Sequence, residues 1–418
     1  MDRIKIPYGD SSLELVVKEN MQIIKPVKEA GMSDTKYSKE KIKRAIERPL
    51  QSKTIEELCK NKENCVIVVD DQTRDTPTKL MIDVLVEIIG RYIQDIKILF
   101  ATGTHRKPTN DEIERILGKD ILKKVQIDHH DCDNLDNLAF FGKTSYGTPV
   151  YINRTYLSSN LKIITGDISL HYYAGFGGGR KSIIPGLAGR NTIKKNHSLL
   201  LDKNAFMGNL EGNPVHLDML EIINMRNESY KIYPDFSLNV IADNKKEIVT
   251  AAAGDLNTVF DYLVKIAKKM MSVEIKDCFD SIIVSSGGYP RDINLYQAVK
   301  ALEMVKHGVK PGGNIILIAE CKEGIGDYTF ERWMHDFASL EETEEKIKSC
   351  FELGGHKAYY LKNILKRNKI YLLSRIYKKI IKKWGIIPIE SLDEVSNVLK
   401  GGNVGIIPSA DFMIVKKE

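Results

Sequence analysis

The chain has 418 residues, 43% apolar and 28% charged, which is too hydrophobic for a disordered or collagen-like chain and predicts two or three domains at ~100–200 residues each. It contains no run of ~18 apolar residues, and Met1 to Tyr8 alternates charged and apolar positions, so neither a membrane span nor a secretory leader is expected and the reading is a cytoplasmic enzyme. The formal charge of +6 is local: Lys362 to Lys383 holds nine Lys or Arg and no acid, which leaves the rest net negative and argues against nucleic acid as a partner.

In chain order, the β-branched run Val66 to Val69 ends in Asp70-Asp71. Thr76-Pro77 then supplies an N-cap and a first-turn proline for a helix with Met81, Val84, Leu85, Ile88 and Ile89 on one face. Ile96 to Ala101 leads through a second loop into a helix opened by the capping box Thr109-x-x-Glu112. Leu161 to Thr165 enters a glycine-rich loop and reaches a helix near Asn191. This alternation predicts an α/β fold with a mostly parallel sheet covered on both faces.

A second set begins at Ser281 to Ser285, passes Gly287-Gly288-Tyr289-Pro290 and enters a helix near Asp292; a strand from Asn314 to Ala319 follows the turn Pro311-Gly312-Gly313. Between the sets, Leu256 to Met271 reads as a helix and the polar segment Ser272 to Asp280 as the boundary. The expected domains are therefore 1–272 and 273–418, with the last strands, Val404 to Val415, fitting either. Residues 362–384 read as a basic helix, with Leu373, Ile376, Tyr377, Ile380, Ile381 and Trp384 on a packed face and Lys378, Lys379, Lys382 and Lys383 on a solvated one. The six cysteines, Cys59, Cys65, Cys132, Cys278, Cys321 and Cys350, form no CxxC pair, which excludes the usual disulfide or zinc frameworks.

Ligands of open α/β sheets bind beyond the carboxyl ends of the strands. Four loops there are rich in polar chemistry: Asp70-Asp71-Gln72-Thr73-Arg74, Thr102-Gly103-Thr104-His105-Arg106, Gly166 to Arg190, and Ser285 to Asp292. Each has a structural explanation when taken alone: Asp71 can cap a turn, Arg74 can pair with Asp75, and His105 can sit in a satisfied hydrogen bond. Taken together, Asp, Arg and His at neighbouring strand exits predict one cleft.

Gly175-Phe176-Gly177-Gly178-Gly179-Arg180-Lys181-Ser182 is neither a Walker loop nor a dinucleotide fingerprint. Arg180 stands where the former needs glycine, Pro185-Gly186 blocks its helix, and the third glycine of the latter is missing. Consecutive glycines still admit a bulky anionic ligand, and Lys181 is either a point charge for phosphate or a nucleophilic amine. His105, His171 and His197 fall in or just after these loops. His129, His130, His216, His307, His335 and His356 do not, and they read as ordinary surface or core residues. No clustered spacing supplies a metal with three or four protein ligands, so a metal here needs a non-protein ligand.

With Asn196-His197 and Gly287-Gly288-Tyr289-Pro290-x-Asp292-x-Asn294-Leu295-Tyr296-Gln297-Ala298-x-Lys300 added, these strings resemble the nickel-dependent lactate racemase family, five motifs in order over about residues 1–310. The resemblance implies two α/β domains with mostly parallel sheets and an active site in the interdomain cleft. It implies a nickel-pincer nucleotide, pyridinium-3-thioamide-5-thiocarboxylic acid mononucleotide, joined covalently to Lys181, with Asp71, Gly177, Gly178 and Gly179 beside it. Nickel is then held by sulfur, carbon and sulfur of the cofactor and by His197, a soft square-planar set that needs only one imidazole.

The resemblance further implies that His105 and His171 are the acid/base pair. Arg74, Gln297 and Lys300 would grip the substrate carboxylate, the last two from one face of a helix in the second domain. The activity so implied is racemisation or epimerisation of a 2-hydroxy acid, foremost D- and L-lactate. A histidine takes the hydroxyl proton while hydride leaves Cα for the cofactor, and dedicated biosynthetic enzymes supply that cofactor. The alternatives are the same chemistry on a larger 2-hydroxy acid, such as a sugar acid, a malate-like acid or an aromatic one, and a nucleotide- or cofactor-binding protein without turnover. The presence of both His105 and His171 argues against the last.

Overall fold

The protein is described from a computed structural model covering residues 3–26, 37–243, 247–399, 401–410 and 412–416. It divides into two compact units, Lys28–Lys268 and a second formed by Met1–Val27 with Lys269–Glu418.

The first unit is built on a six-stranded sheet in the order Ile248–Gly254, Phe236–Ala242, Leu161–Asp167, Asn64–Asp70, Asp95–Ala101, Gln126–His129. Every neighbouring pair is parallel except the first, which is antiparallel. Cys65 to Val69 are all buried, as expected for a central strand with helices on both faces. Strands added after Asn64–Asp70 first extend the sheet to one side and then to the other, so the strand order reverses between Asn64–Asp70 and Leu161–Asp167. That reversal is the switch point at which such sheets open a crevice, and Asp70, Asp71 and Asp167 stand at its two lips.

The helix after the first strand is Thr78–Ile89, but Thr76 does not cap it. Its hydroxyl instead donates to Asp70 Oδ2 at 2.5 Å, because a buried carboxylate at a strand end needs a donor more than a helix start open to water does. Thr109 and Glu112 do close the expected capping box on the helix Asn110–Leu117.

The second unit has a six-stranded, wholly parallel sheet in the order Ile387–Ile389, Lys369–Leu373, Val309–Ile318, Phe279–Ser285, Val404–Ile407, Met21–Ile23. The first 27 residues thus sit with the C-terminal segment rather than opening the first domain. Met21–Ile23 pairs with Val404–Ile407, and Ile6 and Leu15 of the hairpin Arg3–Tyr8/Ser11–Val16 bury themselves among Ile283, Ile316 and Ile318. Of the final strands, Val404–Ile407 lies in this sheet and Met413–Lys416 pairs with Ser272–Ile275. Pro311-Gly312-Gly313 is not a turn before a strand but a bulge inside Val309–Ile318, where pairing jumps from Phe279–Val309 to Ser281–Asn314.

The basic segment is not one helix. Helix Gly355–Arg367 ends before strand Lys369–Leu373, and only Lys378–Lys383 is helical beyond it. Leu373, Ile376, Ile381 and Trp384 are buried and the four lysines exposed, as expected, but Tyr377, placed on the packed face, is 69% exposed because the helix begins only after it. A short apolar run such as Tyr371-Leu372-Leu373 satisfies a helical and a strand pattern alike, and the neighbouring strand Val309–Ile318 selects the latter. Among the described residues no helix is long and apolar enough to cross a membrane.

Candidate active site

Three of the four polar loops leave the first unit's sheet at the switch point. Asp71, only 4% exposed, stands directly after Asn64–Asp70. Its Oδ2 lies 2.7 Å from His105 Nδ1, and its Oδ1 accepts from the Thr73 amide at 2.9 Å and the Thr73 hydroxyl at 2.6 Å. Burial pushes the Asp71 carboxyl up, but the bonds from His105 and Thr73 outweigh it and hold the group below its ordinary value. An ionised Asp71 only accepts, so His105 carries its proton on Nδ1 and, when neutral, a lone pair on Nε2. Asp71 therefore orients the His105 ring, in addition to the cofactor contact expected for it.

His171 is half-buried on the short strand Leu170–His171, paired with Gly175–Phe176. The Ala174 amide lies 3.4 Å from its Nδ1, a long contact. Burial first, then Lys181, Arg74, His197 and Arg180, push its pKa well below the ordinary imidazole value. Lys181 sits on a short 3-10 turn, Gly179–Ser182, rather than on open loop. Burial, followed by Arg74 and Arg180, drives its amine well below the usual lysine range, with Asp70 opposing. That shift favours the neutral form of the amine, the form whose lone pair can react.

His197, 5% exposed, lies near the end of helix Arg190–Ser198. Tyr173, a residue with no assigned role in the sequence reading, joins these groups. Its ring centre is 4.6 Å from that of His171, 5.1 Å from that of His197 and 5.8 Å from Lys181 Nζ. Arg74 is exposed, and its charge acts on Asp70, Asp167, His171 and Lys181, which places all of them around one locus. Asp167 was also overlooked; burial, opposed by the Ala242 amide and reinforced by Asp70, pushes its carboxyl up to about 7. Its signal in the sequence was an acid at the end of a buried strand.

Gly178 and Gly179 are each required by the fold itself, whatever they also contact. A Cβ on Gly178, at φ +71°, would meet Asp167 O and Ile168 Cδ1 at 2.7 Å, and one on Gly179, at φ +55°, would meet Phe260 Cδ2 at 2.7 Å. The Gly177 amide donates to Ser169 O at 2.7 Å and the Gly179 amide to Asn239 Oδ1 at 2.9 Å. Arg180, 1% exposed, lies 4.2 Å above the Phe260 ring and donates to Ala174 O at 2.9 Å; burial lowers its pKa to about 9. It braces the turn that carries His171 on one side and Lys181 on the other.

In the second unit, Gln297 lies on Leu295–Ala298, where its amide is capped by Asn294 Oδ1 at 3.0 Å, and Lys300 opens Lys300–Val305. These are two short helices joined through Val299, whose φ of −61° is itself helical, rather than one uninterrupted helix. Lys300 is exposed, and its charge helps to hold the buried Lys357 amine well below its usual range, after burial itself. Lys357 Nζ in turn donates to Tyr296 O at 3.0 Å, tying down the turn before Gln297.

Among the described residues, the one group of three His, Cys, Asp or Glu donors within common reach is Asp131, Cys132 and Asp133, and Asp133 is already paired with Arg190 at 2.6 Å. His197 belongs to no such group. A metal at His197 therefore fits only if most of its donors come from a non-protein group, and Lys181, close to the same tyrosine, is a fitting tether for one.

A doubly wound α/β unit with an amine, three histidines and an arginine at its switch point defines a ligand-binding α/β protein equipped for proton transfer. Residues 8–208 match the lactate racemase N-terminal domain and residues 273–405 the lactate racemase C-terminal domain. The chain is 32% identical to a lactate racemase of Thermoanaerobacterium thermosaccharolyticum over the whole of both chains. It is likewise 32% identical to one of Lactiplantibacillus plantarum over 82% of this chain and 80% of the other. The apoprotein structure of the Thermoanaerobacterium thermosaccharolyticum lactate racemase superposes with a TM-score of 0.89 at 30% identity, covering both chains fully. The chain belongs to the lactate racemase family.

Proposed function

We propose that the protein is an isomerase that interconverts the enantiomers of lactate, working with a nickel-pincer nucleotide held covalently by Lys181 and through nickel by His197. The observation that carries this reading is the grouping of Lys181, His171 and His197 around Tyr173, where burial and the neighbouring arginines hold the Lys181 amine well below the usual lysine range. The chemistry such a group supplies when bound is reversible acceptance of hydride from the substrate Cα.

The remaining steps fall to the chain itself. Arg74 pairs bidentately with the substrate carboxylate, and Gln297 and Lys300 are the further carboxylate contacts that the family resemblance implies. His105 Nε2 takes the hydroxyl proton of one enantiomer, and Asp71 stabilises the imidazolium that forms. With the carboxylate and Cα hydrogen held in similar places, the hydroxyl of the other enantiomer points to the opposite side, where His171 serves. Burial and then its cationic neighbours disfavour the protonated form of His171, which favours return of the proton to the bound keto acid.

The test is chiral chromatography of protein produced together with the cofactor-making enzymes and supplied with D- or L-lactate and a panel of larger 2-hydroxy acids. Racemisation of lactate, together with a mass increase of one modified nucleotide and about one nickel per chain, both lost in Lys181→Ala, is expected if this single-tether, single-imidazole site is right. Activity in protein of unmodified mass without nickel would overturn the cofactor reading, and turnover of only a larger acid would overturn the substrate.

A further inference from the structure

The helix that presents His197 carries a second polar residue, Asn196, whose orientation is fixed by partners of known hydrogen-bonding sense. Its Nδ2 lies 3.2 Å from the main-chain carbonyl of Val215 and 2.8 Å from Asp218 Oδ2. A main-chain carbonyl can only accept, so the atom facing it must be the NH2 group. The other end of the amide is then its oxygen, and that oxygen lies 3.3 Å from His197 Nδ1. An amide oxygen also only accepts, so the imidazole must donate from Nδ1.

Asp218 is itself locked. It is fully buried on helix Pro214–Ile223 and accepts from the Thr144 hydroxyl at 2.5 Å and the Thr148 hydroxyl at 2.9 Å, besides Asn196. Thr144 and Thr148 flank the turn between strands Leu138–Lys143 and Pro149–Asn153, closed by the Thr144 amide on Thr148 O at 3.0 Å. Asn196, Asp218 and Thr148 are all 0% exposed. A polar knot buried so completely stabilises a core no better than apolar side chains of the same volume would, but it holds one geometry where apolar packing allows several.

We propose that Asn196 is a positioning residue: its side-chain oxygen keeps the proton of His197 on Nδ1 and the lone pair on Nε2, and the Asp218–Thr144–Thr148 knot prevents the amide from turning over. This rests on the reading of His197 as the nickel ligand for its purpose, but not for its measurement. Metal-binding imidazoles are commonly oriented by a partner on the nitrogen away from the metal, and loss of that partner typically costs ~10–100-fold in metal affinity.

The measurement is a long-range proton–nitrogen correlation spectrum of the full chain labelled with 15N-histidine and free of cofactor, with the His197 signals assigned by their loss in His197→Gln. Wild type is expected to show His197 solely in the Nδ1–H form, and Asn196→Ala to show it shifted to a mixture or to the Nε2–H form. Ile6→Ala, a core truncation outside the knot, is expected to lower the melting temperature without altering the tautomer, which separates positioning from support of the fold. A wild-type His197 in the Nε2–H form overturns the proposal even if no variant folds, as does an unchanged Nδ1–H form in folded Asn196→Ala. Nickel content and racemase activity of loaded protein are read separately, so failure of the functional reading leaves the tautomer result standing.

Discussion

His105 Nδ1 lies 2.7 Å from Asp71 Oδ2, and the carboxylate is almost fully buried while the ring is one-third exposed. The pair is therefore a fixed acceptor holding a reachable base. Asp71→Asn is expected to preserve the fold but permit the opposite tautomer, lowering kcat by ~10²–10⁴-fold with little change in KM. Chiral chromatography of loaded protein checks this, and an unchanged kcat would contradict the role given to Asp71.

The same pair sets a pH dependence. The folded Asp71 pKa is depressed, so the stability it contributes is present above the unfolded carboxyl value, ~3.9, and is lost as pH falls through the still lower folded value. Wild type and Asp71→Asn should therefore differ most in denaturant midpoint at neutral pH and converge in acid. A difference that grew on acidification would be the wrong sign.

Lys181 reverses that logic. Its folded pKa lies well below the unfolded value of ~10.4, so between the two the unfolded chain binds more protons and stability rises with pH. Lys181→Met is expected to raise the melting temperature of cofactor-free protein at neutral pH and to remove this slope. Amine-acylating reagents near pH 7 should label Lys181 ahead of exposed lysines such as Lys378 and Lys379, as read by peptide mass spectrometry.

Gly178 and Gly179 combine positive φ with occupied Cβ positions. Gly178→Ala is expected to cost ~1–3 kcal/mol in cofactor-free protein, measured by urea unfolding. If the glycine served only to admit a ligand, the cofactor-free chain would lose nothing.

Ile6 is fully buried among strands that begin almost 280 residues later in the sequence. Ile6→Ala is expected to cost ~2–5 kcal/mol. Hydrogen exchange should rise in Phe279–Ser285 and Val309–Ile318 while Asn64–Asp70 and Asp95–Ala101 keep their protection.

The sequence by itself determined the α/β class, the central strands and the loops that carry chemistry, because buried parallel strands are written as local apolar runs and their exits as local polar strings. His105, His171, Lys181 and His197 were legible in this way, through motifs whose order survives in the chain. The tertiary structure alone decided that residues 1–27 join the C-terminal unit, that Lys369–Leu373 is a strand, that Thr76 serves Asp70, and that Asp71 holds His105. It also gave Tyr173, Asp167 and the Asn196–Asp218 knot their places. Each of these depends on a partner distant in sequence, such as Val404–Ile407 for Met21–Ile23 or Asp218 for Asn196. Local pattern records what a residue prefers, whereas strand pairing, the direction of a hydrogen bond and the tautomer of a ring are settled only by the neighbour that folding brings against it.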